Sequence, residues 1–352
     1  MPQTSTTGIS LMLLNRAQIN RMKKTTVFFS FCLFTSINMY AQIHIDTSGF
    51  VKNNPNIYAV IISKNDSVVY NNYFNGHTEQ DLFNDQSLTK SICSLLMGIA
   101  VDKGYIKSVD EKLVDIFPAL RNDSDKRKQD ITIRQVMNQA SGLCHEDLNN
   151  LGEFLHLPNP ADYVLTSPLL TEPGAVFHYS NAASHLLSVI LTKATGMDTR
   201  SFAGKFLFGP MGITQFDWAK MNDGYYDGSG LLSICLHTRD LVKVGSLLLH
   251  NGVYNHKQIV PAKWIAETVR PNVYYKTEWG FDQSTYSLCW YHSNYKGTDI
   301  TYAMGWGGQF IVVIPSMQAV IAVNQNTADA TAVQQSVNFI YHIFPMIFNQ
   351  LK

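Results

Sequence analysis

Ser87 and Lys90 stand three residues apart in the stretch NDQSLTKSICSLLMGIA, residues 84–100. On a helix that spacing puts both side chains on one face. A serine hydroxyl is a poor nucleophile until a base removes its proton. A lysine can be that base where burial and nearby positive charge disfavour its ammonium form. The start of a helix contributes such a positive end, and it also stabilises an oxyanion. The pair therefore has the makings of an acyl-transfer nucleophile and its base. Spacing alone is a weak signal, because it recurs at Ser293 and Lys296 in SNYK, where a hairpin turn is expected.

Tyr179-Ser180-Asn181 is the second candidate. A tyrosine near a lysine can relay a proton, and an asparagine amide can hold a substrate carbonyl. Tyr-x-Asn also occurs at Tyr70–Asn72 and Tyr73–Asn75, and Asn181 could equally cap the helix that follows it. The third candidate is Gly305-Trp306-Gly307-Gly308-Gln309, a glycine-rich link between two strands. Glycines there admit a ligand or another backbone, or simply form a bulge.

Other chemistries lack their patterns. The eleven histidines form no H-E-x-x-H, and His178 is read as a surface or supporting residue beside Tyr179. No G-x-S-x-G elbow, G-x-G-x-x-G loop or Walker sequence is present. Cys93, Cys144, Cys235 and Cys289 are widely separated, without metal-ligand spacing, and read as buried free thiols. No metal and no organic cofactor is expected.

These residues must be positioned by a scaffold that the patterning outlines. IYAVIISKNDSVVYNNYFNG (57–76) predicts a hairpin, and a helix is expected from Ser87 to Lys103, stopped by Gly104. Further helices are expected over 131–143, 181–197 and 238–252. RNDSDKRKQD (121–130) reads as a solvated loop, and 166–181 as a Pro/Gly loop. Strands are expected at 287–293, 299–305, 308–315 and 318–326, then a helix over 330–348. Strands at both ends and helices between them predict an α/β (α+β) fold. One antiparallel sheet is built from N- and C-terminal segments and flanked by helices, with a mostly helical insertion over roughly 105–270.

The 352 residues are 45% hydrophobic and 15% charged, a globular composition, and the formal net charge of zero argues against nucleic acid as a partner. Lys23 and Lys24 precede an apolar run that ends at Ala41-Gln42. Residues 22–41 thus read as a secretory signal cleaved after Ala41, and residues 1–21 as an upstream extension. The remaining chain, 42–352, is expected to be a single catalytic domain, periplasmic or secreted, with no stable membrane span. Cleavage removes four of 27 basic residues and none of 27 acidic ones, leaving 23 against 27, a formal charge of −4.

Taken in order, the motifs resemble the serine β-lactamase and penicillin-binding family, specifically its class C branch with related esterases and D-aminopeptidases. The resemblance runs over roughly residues 50–345. It is carried by QSLTKSICSLLMGIAVDKGYI, ITIRQVMNQASGL, PGAVFHYSN, GSGLLSICLHTRDLVKVGSLLLHNGVYNHKQIVP and GWGGQFIVVIP. It implies a β-lactamase/transpeptidase-like fold. Ser87 would be acylated, Lys90 would activate it, Tyr179 would relay the proton to the leaving group, and Asn181 would orient Lys90 and the substrate. The N–H groups of Ser87 and Gln309 would form the oxyanion hole. In this alignment Trp306-Gly307-Gly308 matches a third motif that usually begins with lysine or histidine. Tryptophan cannot pair with a carboxylate as a cation does. The expectation is therefore a serine hydrolase of esters or amides, acting on a small-molecule or peptide-like substrate. The alternatives are a β-lactamase, a D-alanyl-D-alanine carboxypeptidase, or a non-catalytic cell-wall-binding module.

Overall fold

The computed structural model describes residues 54–144, 151–270, 273–274, 280–328 and 331–352. All of them belong to one compact unit, Ala41–Lys352. The expected signal at 22–41, the extension at 1–21 and Cys32 lie outside the described residues.

Strands β1 (Ile57–Lys64) and β2 (Ser67–Tyr73) form the expected hairpin, turning at Asn65 and Asp66 with φ of 49° and 61°. Asparagine and aspartate tolerate this left-handed conformation better than other residues with a side chain. The short β3 (Phe83–Asn84) then leads into helix α1 (Leu88–Asp102), which carries the Ser87/Lys90 pair. Thirteen of the fifteen residues of α1 are buried, so it is a core helix rather than a surface amphipathic one.

The middle of the chain holds α2 (Ile133–Met137), α3 (Leu151–His156) and α4 (Asn181–Thr195). It also holds β4 (Asp217–Trp218) and β5 (Ile234–Leu236), which join β3 in a small sheet of order β3-β5-β4. Helix α5 (Thr238–Leu249) follows, then a two-stranded hairpin, β6 (Val253–Tyr254) with β7 (Lys257–Gln258).

The last third supplies β8 (Val273–Tyr274), β9 (Thr285–Ser287), β10 (Trp290–Tyr295), β11 (Thr298–Gly305), β12 (Gln309–Ile314) and β13 (Ala319–Gln325). Helices α6 (Ala332–Asn338) and α7 (Phe344–Leu351) follow them. The main sheet has the order β2-β1-β13-β12-β11-β10-β9-β8, with antiparallel pairing, and the N-terminal hairpin docks on β13. This is the α/β architecture anticipated from the patterning.

Strands β12 and β13 are buried at every position, which requires cover on both faces. Ile311 meets α5, where a Cβ on Gly245 would stand 3.0 Å from its Cγ2 and 2.4 Å from Val320 Cγ1. The neighbouring Phe310 points the other way and stacks on Phe339, with 4.3 Å between ring centroids. Only a glycine lets α5 approach the sheet this closely.

Four local expectations need correction. The helix expected over 131–143 stops at Met137, because Asn138 leaves the helix and Gln139 takes φ 57°. The strand expected over 287–293 is broken at Leu288 and Cys289, with φ of 46° and 68°, into β9 and β10. The charged stretch 121–130 takes in the end of one 3-10 turn (Pro118–Asn122) and all of another (Lys126–Asp130), and its Lys128 is buried against Asp123 (2.7 Å) and the Leu165 carbonyl (3.0 Å). The terminal helix is interrupted by a wider turn at Phe339–Ile343. Among the described residues no helix is long and apolar enough to cross a membrane.

Candidate active site

Ser87 is the N-cap of α1, yet its hydroxyl makes no capping bond. A serine there ordinarily accepts from a backbone N–H of the first turn. Here Ser87 Oγ instead lies 3.0 Å from Lys90 Nζ. The local backbone is unusual, because Gln86 holds φ 52° immediately before the nucleophile. Asn84 stabilises that turn, its Oδ1 accepting from Gln86 N (3.0 Å) and Gln86 Nε2 (2.8 Å).

Lys90 is 1% exposed. Besides Ser87 Oγ, its nitrogen reaches Asn181 Oδ1 at 2.7 Å and the backbone carbonyl of Ser229. The last two are acceptors only. A neutral amine that donates to both leaves its lone pair for the Ser87 hydroxyl, and an ammonium would donate to all three. Lys90 is thus satisfied before and after it takes a proton, which meets the cost of burying it.

Asn181 does not cap α4, as one reading of the sequence allowed. Ser180 is the cap, its Oγ accepting from Ala183 N at 2.8 Å, and Gly196 ends the helix with φ 68°. Asn181 is the first residue of α4 and turns its amide oxygen to Lys90. Tyr179 lies just upstream, its ring centroid 4.8 Å from Lys90 Nζ. His178 is exposed, and its backbone N donates to the Gln139 carbonyl at 2.6 Å.

The Ser229 carbonyl is delivered by a loop wound around the buried Asp227 carboxylate. Asp227 Oδ1 accepts from Ser229 N (2.7 Å) and Ser229 Oγ (2.5 Å). Its Oδ2 accepts from Gly230 N (2.9 Å), Leu232 N (2.8 Å) and Ser233 N (2.9 Å). Gly230 passes directly over the nucleophile turn, where a Cβ would stand 2.4 Å from Gln86 O and 2.8 Å from Ser87 Cα.

A cavity of about 240 Å³ opens over Ser87. Ser87, Tyr179 and Asn181 line it beside Leu151, Leu231, Tyr291, Met304, Gly305, Trp306 and Val333. None of the described lining residues is charged.

The third motif sits elsewhere than the sequence reading placed it. Gly305, the last residue of β11, abuts the nucleophile: its Cβ would stand 3.1 Å from Ser87 N and 2.7 Å from Asp85 O. The strand end over Ser87 is therefore Ala303-Met304-Gly305, followed by Trp306. Gly307, Gly308 and Gln309 are not among the described residues that line the cavity. Gln309 is fully buried, and its side chain is engaged with the Trp306, Gly307 and Gln325 carbonyls. Hence Ser87, Lys90, Tyr179, Asn181 and Trp306 come together, whereas Gly307 and Gly308 form the turn away from the cavity and Gln309 is buried behind it. Sequence reasoning named Gly305 only as part of the glycine-rich link, and did not name Asp227, Ser229, Gly230, Tyr291 or Met304. The visible signal was the pair of glycines in GSG and AMG, where a backbone has to pass close to another.

Cys93 and Cys289 are buried free thiols, Cys235 is a partly buried one, and Cys144 is buried. Burial pushes Cys289 up to about 12, outside the range of a useful nucleophile. Among the described residues no cluster of histidine, cysteine and carboxylate side chains could hold a metal ion.

Known proteins resemble this chain in sequence and in fold. Beta-lactamase-like protein 4 of Dictyostelium discoideum is 31% identical over 123 residues, which is 33% of this chain and 21% of that protein. Beta-lactamase-like protein 2 of the same organism is 23% identical over 228 residues, 61% of this chain and 37% of that protein. The matched regions thus span well under half the length of either relative. Among solved structures, a Bacillus anthracis protein assigned as a 6-aminohexanoate-dimer hydrolase superposes with a TM-score of 0.71 at 19% identity. That match covers 86% of this chain and 82% of the other. A class C beta lactamase from Rhodobacter sphaeroides gives 0.63 at 15% identity, covering 87% and 98%. A D-stereospecific amidohydrolase from Streptomyces gives 0.63 at 16% identity, covering 83% and 96%. These likenesses show a shared fold. The profile of the beta-lactamase family matches residues 57–338, the span that contains every element around Ser87, and the chain belongs to that family.

Proposed function

We propose that this protein is an exported serine hydrolase that cleaves uncharged esters or amides through an acyl-enzyme on Ser87. The observation that carries this reading is Lys90, buried and shared between Ser87 Oγ, Asn181 Oδ1 and the Ser229 carbonyl. Ser87 Oγ attacks the scissile carbonyl carbon as its proton passes to Lys90. The backbone N–H groups of Ser87 and Trp306, on the helix start and the strand end that meet at Gly305, receive the oxyanion. Tyr179 relays the proton to the leaving oxygen or nitrogen, the C–O or C–N bond breaks, and the acyl group stays on Ser87. A water then attacks the acyl carbon, its proton returns by the same groups, and the acid departs.

The lining of the cleft supports an uncharged substrate. A carboxylate entering it would meet Met304 and Trp306, neither of which can compensate its lost hydration. Export is supported by the basic and apolar pattern of residues 22–41.

The test is turnover of p-nitrophenyl acetate and butyrate by the chain from Gln42, beside nitrocefin, with a fluorophosphonate probe to label the nucleophile. Ester turnover and labelling that vanish in Ser87→Ala support the reading. Rapid nitrocefin cleavage would instead make it a β-lactamase without the usual cation. Turnover surviving in Ser87→Ala removes the nucleophile assignment, and absence of both activity and labelling in the wild type favours a binding module.

A further inference from the structure

Strand β13 reads AVIAVNQ, and its last two side chains, Asn324 and Gln325, are buried at the centre of the sheet with Gln309 of the adjacent β12. Buried amides are costly unless every group is bonded, and apolar residues of similar size would pack a strand end as well. The bonds they make are directed at the catalytic cleft. Gln309 Nε2 donates to the Trp306 and Gly307 carbonyls, each at 3.3 Å, and to Gln325 O at 2.9 Å. Gln325 Nε2 holds the Gly308 carbonyl at 2.8 Å. Buried amides of Gln309 and Gln325 thus reach every carbonyl of the Trp306–Gly308 turn, and Gln335 adds a donor to the Gly307 carbonyl at 2.8 Å.

The same network reaches the nucleophile side. Asn324 Nδ2 donates both to Gln309 Oε1 and to Asp85 Oδ1, each at 3.0 Å, while Asn324 Oδ1 accepts from Thr238 Oγ1 at 2.7 Å. Asp85 lies two residues before Ser87, and its backbone carbonyl accepts from Leu88 N in the first turn of α1. One amide, Asn324, therefore bridges the turn that carries Trp306 and the turn that carries Ser87.

We infer that Gln309 is a positioning residue of the oxyanion hole: through its side chain, tied by Asn324 to Asp85, it sets the Trp306 N–H relative to the Ser87 N–H. This rests on the hydrolase reading of Ser87. The role belongs to the side-chain amide, which donates to carbonyls of the turn and so fixes the direction of the peptide groups between them.

The experiment compares wild type, Gln309→Glu and Gln309→Met in p-nitrophenyl butyrate hydrolysis from pH 5 to 8, with melting temperatures beside them. Displacing a donor by a fraction of an ångström lowers kcat by roughly 10- to 100-fold with little change in KM. Met fills the space and donates nothing, so Gln309→Met should show that loss at every pH. A buried Glu is easily protonated, and as an acid it regains one donor. The kcat of Gln309→Glu, taken as a ratio to wild type at each pH, should therefore climb as pH falls, at constant KM. Wild-type kcat in both variants overturns the inference while leaving Ser87 as nucleophile. So does a pH-independent loss in Gln309→Glu that follows its melting temperature. A wild type that turns over no ester removes the reading of Ser87 and this inference with it.

Discussion

The Asn181 amide oxygen lies 2.7 Å from Lys90 Nζ, although 91 residues separate the two in the chain. Helix α4 supplies one and helix α1 the other, and the two helices pack directly. Asn181→Ala would leave Lys90 one partner short in a buried site and free its side chain to drift from Ser87. We expect kcat to fall by about 10- to 100-fold, with a moderate loss of melting temperature. Steady-state kinetics beside calorimetry decides it: unchanged kcat would show that Lys90 is aligned by the Ser229 carbonyl alone.

Gly230 crosses the nucleophile turn with φ 86°, and a Cβ there would lie 2.4 Å from the Gln86 carbonyl. Gly230→Ala meets both a strained backbone and a clash with backbone that cannot move without moving Ser87. Hydrolysis should drop at least 100-fold while the rest of the sheet still forms, read as retained far-ultraviolet circular dichroism. Near-normal kcat would mean that the loop over Ser87 yields more easily than this packing implies.

Trp306 is 44% exposed at the mouth of the cleft, so it tolerates substitution without loss of core packing. Trp306→His places a titratable cation at the mouth of the otherwise uncharged cleft. Below pH 6.5, KM for a carboxylate-bearing ester should fall several-fold relative to the neutral ester, and above pH 7.5 the difference should fade. Equal KM values at both pH values would put the substrate carboxylate out of reach of this position.

Burial holds the Asp85 carboxyl well above the usual carboxylate range, and its Oδ2 has no hydrogen-bond partner among the described residues. An acid whose folded pKa is raised contributes most to stability below its unfolded value, about 4, and that contribution is lost as pH rises. Asn carries no such penalty and still accepts from Asn324. Asp85→Asn should therefore unfold at higher urea than wild type at pH 8, with the difference shrinking toward pH 4. A difference independent of pH would show that burial does not raise the Asp85 carboxyl above its unfolded value.

Much of this molecule was legible in its residues. Ser87 and Lys90 share a helix face because three residues make nearly a turn, and that relation is local. The N-terminal hairpin and the strands β10 to β13 were visible because each is a short β-rich run between turn residues. Tyr179 and Asn181 were readable as candidates by type. Their arrival beside Lys90 depends on α4 packing against α1, which no spacing encodes. Local patterning failed where a buried partner overrides it. Leu288 and Cys289 adopt left-handed backbone inside an apolar run because Leu288 N bonds Asn138 Oδ1 and the Cys289 carbonyl accepts from Ser91.

The residues of Ala303–Gln309 by themselves determine that a glycine-rich turn links two buried strands. Which of those glycines meets the nucleophile is set by how far β11 extends past the start of α1. That contact is between elements more than 200 residues apart. Tertiary packing chose Gly305, left Trp306 at the cleft and turned Gln309 inward. A side chain's role at such a site follows from the partners the fold brings to it, and Asn324, Asp85 and Ser229 are all distant in sequence from the groups they hold.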